Sequence, residues 1–255
     1  MATLGRILFA LSIGFFGIQD VYYGHFLGGL PPAPPWTPGG HVAAYVLGVI
    51  FIVLSLLLLA NKESRIAATV IGLIYLLCVL VLHTQKFNDI VHDGVGRTRA
   101  FEPFAMAGAA FALAALAAKG STSIPLLSGA TPFLAILGRY IVAFSLLVFG
   151  VQHFLYAQFI AFLVPAWMPA HLFLAYFTGA ALIAAGLAIG THIFSRLASL
   201  MLGLMFVLWF ITLHVPRALA AMHTAKDADE WSSAFVALGF AGASFVFAAY
   251  SSKSR

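Results

Sequence analysis

The chain reads as an all-α membrane protein with eight transmembrane helices, built as two tandem four-helix bundles related by a pseudo-twofold along the membrane normal. Three observations lead there. Hydrophobic residues make up 62% of the 255 residues and charged residues 8%, against roughly 25% charged in a soluble domain. Eight stretches reach the length of about 20 mostly apolar residues that a spanning helix needs. The chain also repeats itself. Residues 5–20 (GRILFALSIGFFGIQD) and 138–153 (GRYIVAFSLLVFGVQH) share Gly5/Gly138, Arg6/Arg139, Ala10/Ala143, Ser12/Ser145, Phe16/Phe149, Gly17/Gly150 and Gln19/Gln152. At an offset of 131 the match continues through Trp36/Trp167, Pro38/Pro169, Tyr45/Tyr176, Gly48/Gly179, Gly72/Gly203, His83/His214 and His92/His223. A self-match at nearly fixed spacing over most of a chain indicates duplicated architecture.

The spans follow in order. The first, 4–24, opens with Arg6 and an apolar run, as a signal peptide would. Its near copy recurs at 140–157, where no cleaved signal could stand, so it is expected to be a membrane helix. PPAPPWTPGG at 31–40 stops it, because proline lacks the amide hydrogen and clashes with the preceding turn. The second and third spans are 41–60 and 65–84, and the fourth is 101–118. Residues 1–120 form the first unit, 121–132 a linker rich in Ser, Pro and Gly, and 133–255 the second unit. The fifth span, 133–156, ends before VPAWMP at 164–169. The sixth and seventh are 170–190 and 194–214, with Pro216 predicting a break, and the eighth is 231–250. Lipid offers no partner for an unpaired backbone amide, which requires helices throughout.

Charge orients the bundle. One side carries Arg6, Lys62, Arg65, Lys119, Arg139, Arg196, Lys253 and Arg255 against Glu63 alone. The other carries Lys86, Arg97, Arg99, Arg217 and Lys226 against Asp20, Asp89, Asp93, Glu102, Asp227, Asp229 and Glu230. The excess of Lys and Arg places both termini in the cytoplasm and the protein in the inner (plasma) membrane. The scattered bases face lipid headgroups, and no nucleic-acid partner is expected. The single cysteine, Cys78, excludes an internal disulfide.

Eight of the nine histidines fall on the outer side, His192 being the exception. After the third and seventh spans the chain reads HTQKFNDIVH (83–92) and HVPRALAAMH (214–223), which places Lys86 near His83 and Arg217 near His214. Residues nine apart on a helix point to nearly opposite faces, so His83 and His92, or His214 and His223, converge only if the chain turns between them. Three chemistries fit. Neutral imidazoles ligate copper, zinc or haem iron, though no HxH or HxxxH cluster preorganises such a site and no metal is favoured. Histidine beside an acid or base moves the protons of a quinol. A lysine or arginine beside histidine holds an anion such as a sulfur oxyanion. The plain structural alternative is helix capping and phosphate contact. Ser12/Gln19 and Ser145/Gln152 each lie on one helix face, and polar groups inside spans face the bundle. Gln19 and Gln152 are read as interhelical hydrogen-bonding groups and as candidates for binding a cofactor, together with the deep Trp209. The position after each glutamine differs, Asp20 against His153, and the two could pair across the axis. Arg6 and Arg139 are read as reaching to lipid phosphate, the recurrent glycines as packing positions, and Trp36, Trp167 and Trp231 as an interfacial belt.

A four-helix unit opening G-R-x-x-x-A-x-S-x-x-x-F-G-x-Q, with a histidine ending its third helix, resembles the DoxX/DoxD-like membrane protein family. The resemblance covers nearly all of the chain as two units in tandem, where single units are common. It implies four-helix bundles, some of them subunits of quinone-linked oxidoreductases acting on thiosulfate and others working with redox partners. The expected function is therefore a membrane component of a redox system, handling a quinone or small oxidisable substrate at the outer face. His83, Lys86, His92, Asp20 and the counterparts His214, Arg217, His223 and His153 are the candidate site. The alternatives are a non-catalytic subunit that anchors or assembles a larger complex, and a lipid or small-solute carrier.

Overall fold

A computed structural model describes residues 1–26, 40–83, 87–117 and 125–251. Among them are eight helices long and apolar enough to cross a membrane, and no strand. The elements are α1 (Ala2–Tyr23), α2 (Gly40–Leu59), α3 (Ser64–Cys78) running into a π-helical turn Val79–His83, and a short α4 (Phe87–His92). Then come α5 (Gly94–Ala117), α6 (Pro125–Leu155), a short α7 (Ala157–Leu163) and α8 (His171–Thr191). Last are α9 (Ser195–Trp209), a second π turn Phe210–His214, α10 (Val215–Ala221) and α11 (Asp227–Ser251). Both ends of the described chain lie at one end of the bundle, the terminal end. The opposite end carries most of the histidines.

Packing follows chain order around a ring. α1 lies between α2 and α11, α6 between α5 and α8, α3 packs on α5, and α9 packs on α11. α5 and α11 also touch each other, and they are the most enclosed spans, with 72% and 89% of their apolar windows buried. The close approaches are made at glycine. A Cβ on Gly17 would lie 2.6 Å from the Gly48 carbonyl oxygen, and one on Gly150 would lie 2.8 Å from that of Gly179. Gly5 meets Gly242 and Gly138 meets Gly108 in the same way, while Gly72 and Gly203 receive the rings of Phe111 and Phe245. Small residues let helix backbones approach in lipid, where no hydrophobic force draws helices together.

Several boundaries differ from the sequence reading. α5 starts seven residues before the expected 101 because Asp93 caps it, its Oδ2 accepting the Gly96 amide at 2.6 Å. Arg97 is no bar to the helix, since its side chain donates to the Ile90 and Val91 carbonyls that end α4. α6 begins inside the expected linker, and Pro125 at its start sacrifices no hydrogen bond there. The seventh span does not break at Pro216. It continues to Ala221 because the π turn at 210–214 widens the helix just before the proline, which then sits in the first turn of α10. α11 starts at Asp227, with Asp227, Asp229 and Glu230 in the turn where negative charge suits the helix dipole. Arg6 does not reach out to phosphate. It turns inward and donates to the carbonyls of Leu58 and Leu59 at the end of α2, whose acceptors are otherwise orphaned.

Candidate functional site at the histidine end

Both π turns end on a histidine of the repeated pattern, His83 and His214. π turns are rare, and they concentrate at functional sites because the extra residue re-aims side chains. His83 is buried, and His214 is half-buried with its Nδ1 enclosed and unpartnered among the described residues. His92 and His223 are exposed. His223 follows the end of α10 in the left-handed region at φ 65°, where its amide approaches Asp227 Oδ2 at 3.4 Å. Each pair of histidines is therefore split between a lower, enclosed member and an exposed one. Lys86 and Trp36 lie outside the described residues. Among the described residues no three His, Cys, Asp or Glu side chains form a group able to hold a metal.

Arg217 is engaged. Its Nη2 and Nε donate to both carboxylate oxygens of Glu230, at 2.6 and 3.1 Å, and Nη1 donates to the Leu163 carbonyl at 3.2 Å. This fork ties α10 to α11 and to the end of α7. It also neutralises the guanidinium, which argues against Arg217 as the seat of an anionic substrate. Residues 162–166 with His171 and Arg217 line an open cleft of about 470 Å³ beside it.

Gln19 and Gln152 cross-link helices. Gln19 Nε2 donates to the Ala228 carbonyl at 3.1 Å, and Ser232 Oγ donates to Gln19 Oε1 at 2.9 Å, joining α1 to α11. Gln152 Nε2 donates to the Gly94 carbonyl and Thr98 Oγ1, both at 2.9 Å, joining α6 to α5. Gln152 Oε1 is buried without a partner among the described residues. The serines take different routes. Ser12 Oγ donates across to the Phe235 carbonyl at 2.6 Å, and Ser145 Oγ donates along its own helix to Ile141.

The structure does not bring Asp20 and His153 together. Asp20 is fully buried and faces Gly48 on α2, whereas His153 faces Gly179 on α8 and bonds through Nδ1 to its own helix at the Phe149 carbonyl, 2.8 Å away. Each lies inside its own half because α1 and α6 pack on different neighbours. Trp209 immediately precedes the second π turn, its Nε1 buried and unpartnered among the described residues. Two features escaped the sequence reading. Tyr75 is fully buried on α3, its ring 5.3 Å from Phe51. Glu230, read only as one of the acids on the histidine side, holds Arg217.

Comparison with protein-family models, with curated proteins and with solved structures finds no match to this chain.

Proposed function

We propose that the protein is an integral membrane component of a redox system that handles a quinone or small oxidisable substrate near the histidine end. The observation that carries this reading is the pair of π turns closing on His83 and His214 at matched positions. Each holds an imidazole, a group suited to proton exchange near neutral pH, just inside a membrane-spanning helix. The reading includes two tandem DoxX-like units related by a pseudo-twofold. It is supported by the matched glycine contacts Gly17–Gly48 and Gly150–Gly179, and by a glutamine cross-link from the first helix of each half to the last helix of the other. It places the terminal end, rich in Lys and Arg, in the cytoplasm and the histidine end outside the plasma membrane. Other protein subunits complete the electron path. The second reading, an anchoring subunit without chemistry of its own, draws on α7, where Phe162 is 85% exposed beside the cleft and offers an apolar contact.

The test is direct. Protein purified from native membranes is extracted with solvent, and the extract is analysed for quinone. The expected result is co-purifying quinone that falls severalfold in a His83→Gln, His214→Gln double variant. Quinone absent from the wild type, together with stable co-purification of larger cofactor-bearing chains, would favour the anchor.

A further inference from the structure

Two pairs of arginines stand at matched places at the terminal end, and the fold uses them differently. Arg6 matches Arg139 in the repeated opening segment, and Arg65 matches Arg196 at the spacing of 131 residues. In the first half the protein takes up both. Arg6 donates to the carbonyls that end α2, and Arg65 is buried. In the second half neither arginine has a hydrogen bond or ion pair among the described residues. Arg139 lies inside the span 132–155, and its Nε is buried without an acceptor. Its guanidinium sits 4.5 Å over the exposed ring of Tyr140, and its charge acts on His192 just beyond α8. Arg196 is exposed in the first turn of α9. A guanidinium carries five donors and no acceptor, so one left unbonded inside a span calls for an anion.

The hairpins beside these arginines share a backbone but not a chemistry. Asn61 and Glu63, between α2 and α3, hold φ 55° and 48°, and His192 and Phe194, between α8 and α9, hold φ 63° and 53°. Asparagine suits this left-handed region, whereas a bulky ring rarely occupies it. The first tip reads Asn61, Lys62, Glu63, and the second reads His192, Ile193, Phe194. Ile193 is 64% exposed and Phe194 74%. Three residues extend at most about 10 Å, and a turn reaches half of that. The second tip therefore stays within the headgroup layer, which is about 5–8 Å deep on each side of the hydrocarbon. Among the described residues the one acid at this end, Glu63, belongs to the other hairpin.

We infer that the terminal end of the second half binds the headgroup of an anionic phospholipid, with Arg139 donating to the phosphate, Arg196 adding its charge, and Ile193 and Phe194 lying against the acyl chains. The occupant follows from the two chemistries set side by side. Unbonded arginines with no carboxylate on their hairpin attract an anion, and arginine suits phosphate oxygens. An apolar tip beside them favours an anion that carries a hydrocarbon tail over a free one. The first half lacks both, since its arginines are engaged and its tip is polar. The inference is independent of the redox reading.

The test titrates the full chain, in a neutral detergent, with a short-chain phosphatidylglycerol and reads bound lipid by native mass spectrometry. Short-chain phosphatidylcholine is the neutral comparison. The wild type is expected to hold phosphatidylglycerol in preference. Arg196→Gln, a surface change that does not endanger the fold, should weaken binding about fivefold, and Arg139→Gln with Arg196→Gln about twentyfold. Phe194→Asn should also weaken it, while holding or raising the thermal midpoint, because asparagine suits the backbone there. Lys62→Gln, an exposed base on the other hairpin, should leave the affinity unchanged. Equal weakening by Lys62→Gln would mean diffuse surface charge and overturn the inference, as would equal binding of the two lipids. Displacement of the lipid by millimolar inorganic phosphate would make this a free-anion site and overturn the lipid assignment. If Arg139→Gln binds lipid as the wild type does and lowers the thermal midpoint as far as Arg6→Gln, Arg139 caps a helix end as Arg6 does, and the inference falls.

Discussion

Gly17 is the most stringent test of how the helices are held. A Cβ there would sit 2.6 Å from the Gly48 carbonyl oxygen and 2.9 Å from the Ile52 amide nitrogen. Both are backbone atoms of α2, so no side chain can swing away. The oxygen is about 0.8 Å short of ordinary contact, and α1 and α2 must separate by that much along their tightest line. Overpacking of this kind costs about 1–3 kcal/mol, partly offset by alanine's better helix propensity, which is about 1 kcal/mol. The net cost is up to about 2 kcal/mol, so Gly17→Ala should lower the thermal midpoint by up to about 8 °C in a protein of this size. Gly190 in α8 supplies the control, because a Cβ there would meet only the Ala143 methyl at 3.5 Å, an ordinary contact. Gly190→Ala removes a glycine from a helix without strain and should hold or raise the midpoint. The assay is thermal unfolding of detergent-solubilised protein, followed by thiol labelling of Cys78, which α3 keeps partly enclosed. Equal midpoints for Gly17→Ala and Gly190→Ala would refute the account of α1 and α2 as backbones in contact.

Other consequences follow from the polar links. A double-mutant cycle between Gln19→Leu and Ser232→Ala should give a coupling of about 0.6 kcal/mol, the average for interhelical hydrogen bonds in membranes, and zero coupling would mean the two side chains do not meet. Glu230→Ala leaves Arg217 part-buried and uncompensated, so it should destabilise the fold by about 1–3 kcal/mol, and more than Arg217→Met paired with Glu230→Leu, as measured by denaturation. His192 lies beyond the end of α8. Its imidazole is held below the ordinary value of 6.5, first by desolvation and then by the Arg139 charge. The unfolded chain therefore binds that proton more readily, and this contribution to stability is complete above pH 6.5 and is lost as pH falls below it. His192→Asn should flatten that part of the pH–stability curve, and an unchanged slope would remove His192 from the account.

The eight spans were legible because apolar length alone separates them, and the proline-rich and charged segments between them were equally plain. Their ends were less so, for reasons specific to each. Arg97 and Arg99 look like a loop in one dimension, but Arg97 spends its charge on the last carbonyls of α4, and α5 passes through both residues. Pro216 predicts a break, and a π turn beginning six residues earlier takes up the strain instead. Arg6 looks like a headgroup ligand, and only the three-dimensional position of the α2 carbonyls shows why it turns inward. Within the site, the interhelical role of Gln19 and Gln152 was readable from their spacing and polarity. The solitude of the Tyr75 hydroxyl was not, because nothing in the sequence distinguishes a satisfied buried phenol from an unsatisfied one.

The proposed duplication explains why the halves share their glycines and glutamines, since those positions set distances between helices and any drift would open both bundles. It does not require the lining to match. The second half is closed by the Arg217–Glu230 fork, and the residue standing for Glu230 in the first half, by the spacing that relates Ser232 to Thr98, is Gly96. A glycine cannot supply a carboxylate at that place. Among the described residues the first half carries a buried carboxylate and an unpartnered phenol, and the second carries the enclosed, unpartnered indole nitrogen of Trp209 and Nδ1 of His214. Both halves therefore hold buried polar atoms without partners among the described residues, and the Arg217–Glu230 fork ties α10 to α11 beside those of the second half.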